Sequence, residues 1–304
     1  MTSAFHRRPD LLAAGVREHE LRRRLRTGEL VRLRRGHYLS EAPTGPEQWH
    51  RARALAAAHE MAADAVLSHV TAAVLHGLPA WDLPLDRVHS TRPRRSGARV
   101  GRFAHVHAAQ LDADEVVEVD GVRVTSLART LADIGRSAPF EHAVVVADAA
   151  LHRHLVTRGE LDAAVARGAR RPGNPAADRA LRFAAPGSMS VGESRSRVAL
   201  HVAGLPAPVL QWPVVTAGGA AVGEVDFAWP RQRCVGEFDG RVKYGRLLFP
   251  GQDAGDVLFA EKRREDAIRD EGLHMTRWTW RDLADFAPVA ARIARRLGPT
   301  SHTG

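Results

Sequence analysis

The sequence predicts an α+β protein of more than one domain, and three observations carry that expectation. First, 304 residues exceed what one hydrophobic core usually organises. Second, the hydrophobic pattern changes along the chain, from helical spacing near the start to strand alternation, back to helix, and then to a strand pair followed by a helix and a further strand. Third, RGARRPGNPAAD breaks the periodicity with Pro172, Gly173 and Pro175, which places a boundary there. The expected regions are residues 1–45, 46–170 and 180–300.

Residues 10–40 read as helix, turn, helix and a short β-ribbon. Leu11 and Leu12 precede a break at Gly15, then Leu21 and Leu25 stand at i,i+4 in REHELRRRLRTG, and Gly28 stops that helix. Residues 30–33 and 37–39 are short enough to pair, with Arg34, Arg35 and Gly36 in the tight turn. This is the outline of a winged helix-turn-helix. Residues 46–80 look helical, and in LSHVTAAVLHGLP Ser68 is placed to cap a helix that Gly77 and Pro79 end. Residues 87–125 alternate as strands in RVHST, FAHVHA and VVEVDGVRVTS, with a hairpin turn at Asp120 and Gly121. Residues 129–167 are helical again, which makes 46–170 a small α/β region.

The composition excludes some functions. Hydrophobic residues are 44% and charged residues 26%, and no apolar run approaches the roughly 20 residues of a membrane span. The start, MTSAFHRRPD, has no apolar stretch after its charges, and Cys234 is the only cysteine, so neither a secretory signal nor a disulfide is expected and the cytoplasm is the expected compartment. Lysine and arginine number 44 against 35 acidic residues, a net charge of +9 carried almost wholly by arginine. That favours a phosphate-bearing partner, although arginine encoded freely by a GC-rich genome gives the same balance. Position is more telling. Arg22, Arg23, Arg24 and Arg26 on the second helix, with Arg32, Arg34 and Arg35 in the wing, concentrate charge where a winged helix meets DNA. Arg24 faces differently from Arg22 and Arg26, so one duplex does not touch all of them.

The most informative stretch is AAVGEVDFAWPRQRCVGEFDG, residues 220–240, which reads as two strands around a turn at 230–233. Centring the turn between Arg231 and Gln232 sets Asp226 opposite Glu237 and Glu224 opposite Asp239. By alternation these four acids share one face, with Val225, Phe227 and Phe238 on the other. Like charges opposed across a sheet destabilise it, and a divalent cation is a natural compensation because hard oxygen ligands suit magnesium or manganese. The alternative is a solvated acidic face, or a bulge that shifts the register and dissolves the rectangle. Upstream, SVGESRSRVALHVAGLP reads as a helix capped by Ser190 with Glu193 in its first turn, where the acid either points at the sheet or simply complements the helix dipole.

Glu193 on a helix, VDFAWP with Asp226, GEFDG with Glu237, the helix EKRREDAIRDEG and the strand-like HMTRWTW together resemble the very-short-patch-repair-like branch of the PD-(D/E)XK nucleases, over about a third of the chain. The resemblance implies a mixed sheet flanked by helices over 180–300, with Glu193, Asp226 and Glu237 as metal ligands. Where the family's Glu-x-Lys puts lysine, this chain has Asp239, which becomes a candidate further ligand. Such a site needs a group that holds the attacking water and offsets charge on the phosphate. Lys243 is the first candidate to supply it, with Lys262 behind it because its helix is rich in i,i+4 charges. Asp226, Glu237 and Lys243 are the expected catalytic set. Arg241, Arg246, Arg263 and Arg264 are candidates to hold a nucleic-acid backbone. Trp278 and Trp280 are candidates to stack on bases, with core packing as the commoner role.

LRTGELVRLRRGHYLS, LSHVTAAVLHGLP and VDGVRVTSLARTLADI also resemble AbiEi-type antitoxins of abortive-infection systems, over roughly the first half. Their winged helix has another helix ahead of the pair read here. The resemblance implies DNA binding and regulation. His69 and His76 share a helical face, with His50 and His59 nearby, and structural roles are the commoner explanation for such a set. The expectation is therefore a magnesium- or manganese-dependent DNA endonuclease targeted by an N-terminal DNA-binding region. Its competitor is a non-catalytic transcriptional regulator or antitoxin. DNA is the expected partner, no membrane is expected, and RNA and a homodimer are left open.

Overall fold

The computed structural model describes residues 5–216, 218–240 and 254–298, with backbone alone for 254–261. The fold is α+β and divides into two units, one holding residues up to 146 and 155–182, the other residues 147–154 and those from 183 onward.

The first unit opens with β1 (Phe5–Arg7), α1 (Arg8–Ala13), α2 (Glu18–Thr27), β2 (Val31–Arg34) and β3 (His37–Leu39). Gly28 ends α2 in the left-handed conformation, φ 77°, where a β-carbon would be strained. Leu11, Leu21, Leu30 and Tyr38 are buried together and tie the helices to the ribbon. The strand order is β1-β3-β2, antiparallel throughout. The antitoxin resemblance implied a helix ahead of α1; residues 5–7 instead form a strand on β3, in a segment too short to show periodicity.

The second part of this unit is α3 (Pro46–Ala58), β4 (Val66–Leu67), α4 (His69–Leu75), β5 (Val88–Arg92), β6 (Arg99–Val100), β7 (Ala104–Ala108), β8 (Val116–Val119), β9 (Val122–Thr125), α5 (Leu127–Ser137), α6 (Phe140–His152), α7 (Arg158–Arg167) and α8 (Asn174–Phe183), of which residues 147–152 of α6 and Phe183 count with the second unit. The sheet order is β6-β7-β5-β4-β9-β8, with β5 parallel to β7 and β4 parallel to β9. Asp120 and Gly121 turn β8 into β9 with positive φ at both positions, as the sequence requires of a two-residue hairpin. Ala54, Leu67, Ala72, Leu75, Val88 and Val124 form the core beneath α3 and α4. The break at Pro172, Gly173 and Pro175 falls inside this unit.

The second unit contains α9 (Val191–Val202), β10 (Val209–Val215), β11 (Ala221–Trp229), β12 (Cys234–Asp239), α10 (Ala254–Asp270), β13 (His274–Thr279) and α11 (Ala287–Leu297). Its sheet order is β10-β11-β12-β13, antiparallel except for the β12–β13 pair, which is parallel and has α10 as its crossover. One face of the sheet buries Leu200, Phe227, Trp229, Cys234, Trp278, Val289 and Ile293 with α9 and α11. The other buries Val214, Val225, Ala228, Val235, Ile268 and Leu273 with α10. Gly236 makes room for Trp278, because a β-carbon there would lie 2.5 Å from the indole. Trp278 is 1% exposed and donates Nε1–H to Ser196 Oγ at 2.7 Å, so it packs in the core and does not stack on bases. No helix among the described residues is long and apolar enough to cross a membrane.

Candidate active site

The turn-centred register of the acidic hairpin is the one observed: Phe227 pairs with Gly236, Ala228 with Val235 and Trp229 with Cys234. Pro230–Gln232 form a single 3-10 turn and Arg233 closes it with φ 52°. Past Phe227 the backbone ladder gives way to a side chain. Asp226 Oδ2 accepts from the Phe238 backbone N–H at 2.8 Å, so the aspartate itself bridges the two strands.

At this point the facing of the strand inverts. Val225 and Phe227 are two residues apart, yet Val225 packs on the α10 side and Phe227 on the α9–α11 side. β10 does the same opposite them: Leu210 and Trp212 pack on different sides, with Gln211 between them at φ 48°. A left-handed residue resets the alternation, so the predicted rectangle of Glu224, Asp226, Glu237 and Asp239, with Val225 and Phe227 sharing the opposite face, is corrected. Glu224 is exposed, while Asp226 and Asp239 are half-buried and Glu237 is 8% exposed.

Asp226 feels two other acids, Glu193 and Glu237, each from a different element. Burial is the main reason that the Asp226 carboxyl is pushed up to about 7; the negative charges of Glu193 and Glu237 raise it further, against the Phe238 N–H and Arg264. Glu193 arrives from the first turn of α9. It accepts from Ser190 Oγ at 2.7 Å, the Met189 N–H at 2.8 Å and Gln211 Nε2 at 2.9 Å, so it both caps its helix and reaches the strand that inverts. Gly192 permits that approach, since a β-carbon there would fall 1.9 Å from the Phe238 ring. Glu237 is held by Arg264 of α10 at 2.6 Å and by Arg277 of β13 at 2.9 Å. Arg264 also donates to the Glu224 carbonyl at 3.0 Å, and Arg277 reaches Glu265 at 2.8 Å.

Each acid therefore already has donors. In this arrangement the carboxylates do not bring three ligand atoms as close together as His69, His89 and His107 do; that trio lies within 4.8 Å of one another and is the metal-compatible group found among the described residues.

No protein-family model matches the chain. Two Mycobacterium tuberculosis proteins, Uncharacterized protein MT2308 and Uncharacterized protein Rv2248, are each 32% identical to it over 216 residues, covering 71% of this chain and 75% of theirs. The chain belongs to their family. A crystal structure of the RV2827C protein from the same organism overlaps 70% of this chain and 84% of its own, with 16% identity and a TM-score of 0.37.

The remaining residues that the sequence put forward fall into three groups. Lys243, Arg241 and Arg246 lie outside the described residues. Lys262 is exposed on α10, while Arg264 on the same helix reaches Glu237, a role the sequence had assigned only to backbone binding. On the N-terminal helix and ribbon, Arg22, Arg26 and Arg35 are exposed and make no ion pair among the described residues. Arg23 pairs with Glu29 at 3.0 Å; Arg34 pairs with Glu60 and donates to the Ala56 carbonyl at 2.9 Å. Arg24 pairs with Glu20 at 2.8 Å, consistent with its different facing.

The histidines divide differently from their helical spacing. His50 is tied to the Leu85 carbonyl and Thr71 Oγ1 at 3.0 and 2.8 Å, and His76 to the Thr125 carbonyl at 2.8 Å, both structural. His69 leaves that set and joins His89 and His107 from β5 and β7. The signal for this lay in the alternating RVHST and FAHVHA segments, which put histidines on one sheet face.

Proposed function

We propose that the chain is a metal-dependent endodeoxyribonuclease, with a PD-(D/E)XK-type domain in its C-terminal unit and a winged-helix region that brings DNA to it. The observation that carries this reading is a half-buried Asp226 held at about 7 beside Glu193 and Glu237, an arrangement that costs stability unless a cation or proton offsets it. Asp226, Glu237 and Glu193 are the oxygen donors a hard dication would take, once Arg264 and Arg277 yield Glu237, with Asp239 a further donor from the strand of Glu237. Magnesium or manganese bound there would acidify a water and stabilise charge on the phosphate.

The chain's own residues supply the rest. Asp226 and Glu237 are fixed by the hairpin, and Glu193 by its cap. Arg264 stands beside Glu237, where a cationic group is needed and Asp239 replaces the lysine. A guanidinium stays protonated, so Arg264 can hold a phosphate oxygen but cannot take a proton from water. Arg22, Arg26 and Arg35, exposed and without an ion pair among the described residues, would meet the DNA backbone.

A second reading is favoured by the two arginines that already neutralise Glu237: a non-catalytic DNA-binding regulator or antitoxin that keeps the fold and binds no metal at this site. Plasmid nicking separates the two. The nuclease nicks supercoiled DNA with manganese, stops on EDTA and loses activity in Asp226→Asn; binding to DNA that ignores EDTA, with no nicking, leaves the regulator.

A further inference from the structure

A second cluster of chemistry-bearing side chains lies wholly within the first unit. β5 and β7 run parallel with His89 opposite His105 and Thr91 opposite His107, so three imidazoles line one face of that sheet. His69, the first residue of α4, stacks on His107 with ring centroids 3.6 Å apart and planes 13° from parallel, so one of the two rings has to turn for a single ion to lie in both planes. His89 Nδ1 and His107 Nε2 are 3.1 Å apart, close to the roughly 3.3 Å that separates two nitrogens on one tetrahedral zinc ion. Each of His69, His89 and His107 offers a ring nitrogen within 4.8 Å of the others.

Core packing alone does not account for this arrangement. His50 and His76 show what structural histidines of this fold do: each rests on a backbone carbonyl. The cluster histidines face one another instead. His69 Nδ1 lies 3.0 Å from Ser68 Oγ, which in turn accepts from Thr91 Oγ1 at 2.8 Å, and both hydroxyls are fully buried. In the tautomer that donates Nδ1–H to Ser68, the lone pair of His69 is on Nε2, and the hydroxyl pair fixes the ring as outer partners of metal-bound histidines do. His69 also sits at φ 54°, a left-handed conformation costly for a residue with a β-carbon and typical of functional positions.

His69 and His107 also border a cavity of about 500 Å³ whose wall includes Arg129 and Arg136. Arg129 is 2% exposed and pairs with Glu115 and Asp133, yet its Nη2 has no acceptor, and neither has Nη1 of Arg136. Buried donors without acceptors are rare, and the two arginines line the cavity together with Asp133, which pairs with both. Guanidinium groups oppose a dication on the histidines, and an anion between them would relieve that repulsion.

We propose that His69, His89 and His107 bind one zinc-class transition-metal ion whose remaining position opens on the arginine-walled cavity and takes an oxyanion. Metal and anion then strengthen each other's binding, since the coupling is reciprocal. The test is a titration of the chelator-stripped, untagged full chain with Co2+, followed by visible absorption and displaced by Zn2+. Expected are one equivalent with the bands of four-coordinate cobalt, a loss of affinity of at least tenfold in His89→Ala and in His107→Ala, and retained binding in His105→Ala and in Asp226→Asn. Inorganic phosphate should shift the wild-type bands and fail to shift those of Arg136→Gln. A wild-type chain that takes up no equivalent overturns the site without reference to any variant, as does uptake lost in Asp226→Asn but kept in His107→Ala. Bands unmoved by phosphate overturn the oxyanion position.

Discussion

The histidine cluster of the first unit and the carboxylate cluster of the second are both sets of buried ionisable groups gathered from separate elements, but they are balanced in opposite ways. In the first, burial removes protons: His89 falls to about 4 and His107 to about 2, and the three ligand nitrogens face one another. In the second, burial retains a proton on Asp226, while Arg264 and Arg277 already occupy Glu237. A soft-to-borderline ion meets little competition at the histidines. A hard dication at the acids must displace or share guanidinium partners. The same physics, desolvation, thus prepares one site and leaves the other counterweighted.

The largest effect expected is at the acids. Asp226→Asn should lower manganese-dependent plasmid nicking by at least about 100-fold, because it removes a ligand charge while keeping shape; activity within a few-fold of wild type would place the chemistry elsewhere. The pH dependence of stability should then separate the two clusters. A carboxyl whose folded value is raised stabilises least when ionised, so the Asp226 contribution is lost as pH rises from about 4 through about 7, and without metal Asp226→Asn should be more stable than wild type at pH 8 by on the order of 2 kcal/mol. Histidines whose folded values are lowered behave in the opposite sense. Their contribution is intact above about 6.5 and is lost as pH falls through the folded value, about 4 for His89. Urea melts of wild type, Asp226→Asn and His89→Gln across pH 4 to 8 check both signs; a single common slope would break the comparison.

How far the sequence reached differs between the clusters for physical reasons. The hairpin register followed from turn position, which is local. The cap put Glu193 in the first turn of its helix, but capping alone left open whether the acid faced the sheet. The inversion at Asp226 depended on the left-handed backbone of Gln211, an otherwise unremarked residue on the neighbouring strand. β1 escaped notice because three residues show no period. The histidine site was hidden by topology: His69, His89 and His107 come together only because β5 pairs with β7 and α4 begins above them, and helical spacing had grouped His69 with His76 instead.

Two smaller effects sharpen the same contrast. Arg264→Gln should release Glu237 and raise manganese affinity about tenfold while leaving cobalt uptake at the histidines unchanged, both read by titration. Arg22→Gln, Arg26→Gln and Arg35→Gln should each weaken DNA binding modestly and reduce its log-salt slope by about 1, measured by fluorescence anisotropy; an unchanged slope would remove that residue from the interface.

The proposed carboxylate metal site depends on Asp226, and calorimetric titration of manganese into wild type and Asp226→Asn tests it most directly. One equivalent bound by wild type and absent from Asp226→Asn is the expected result. Identical isotherms for the two proteins would contradict a metal site at these acids and leave the DNA-binding regulator in its place.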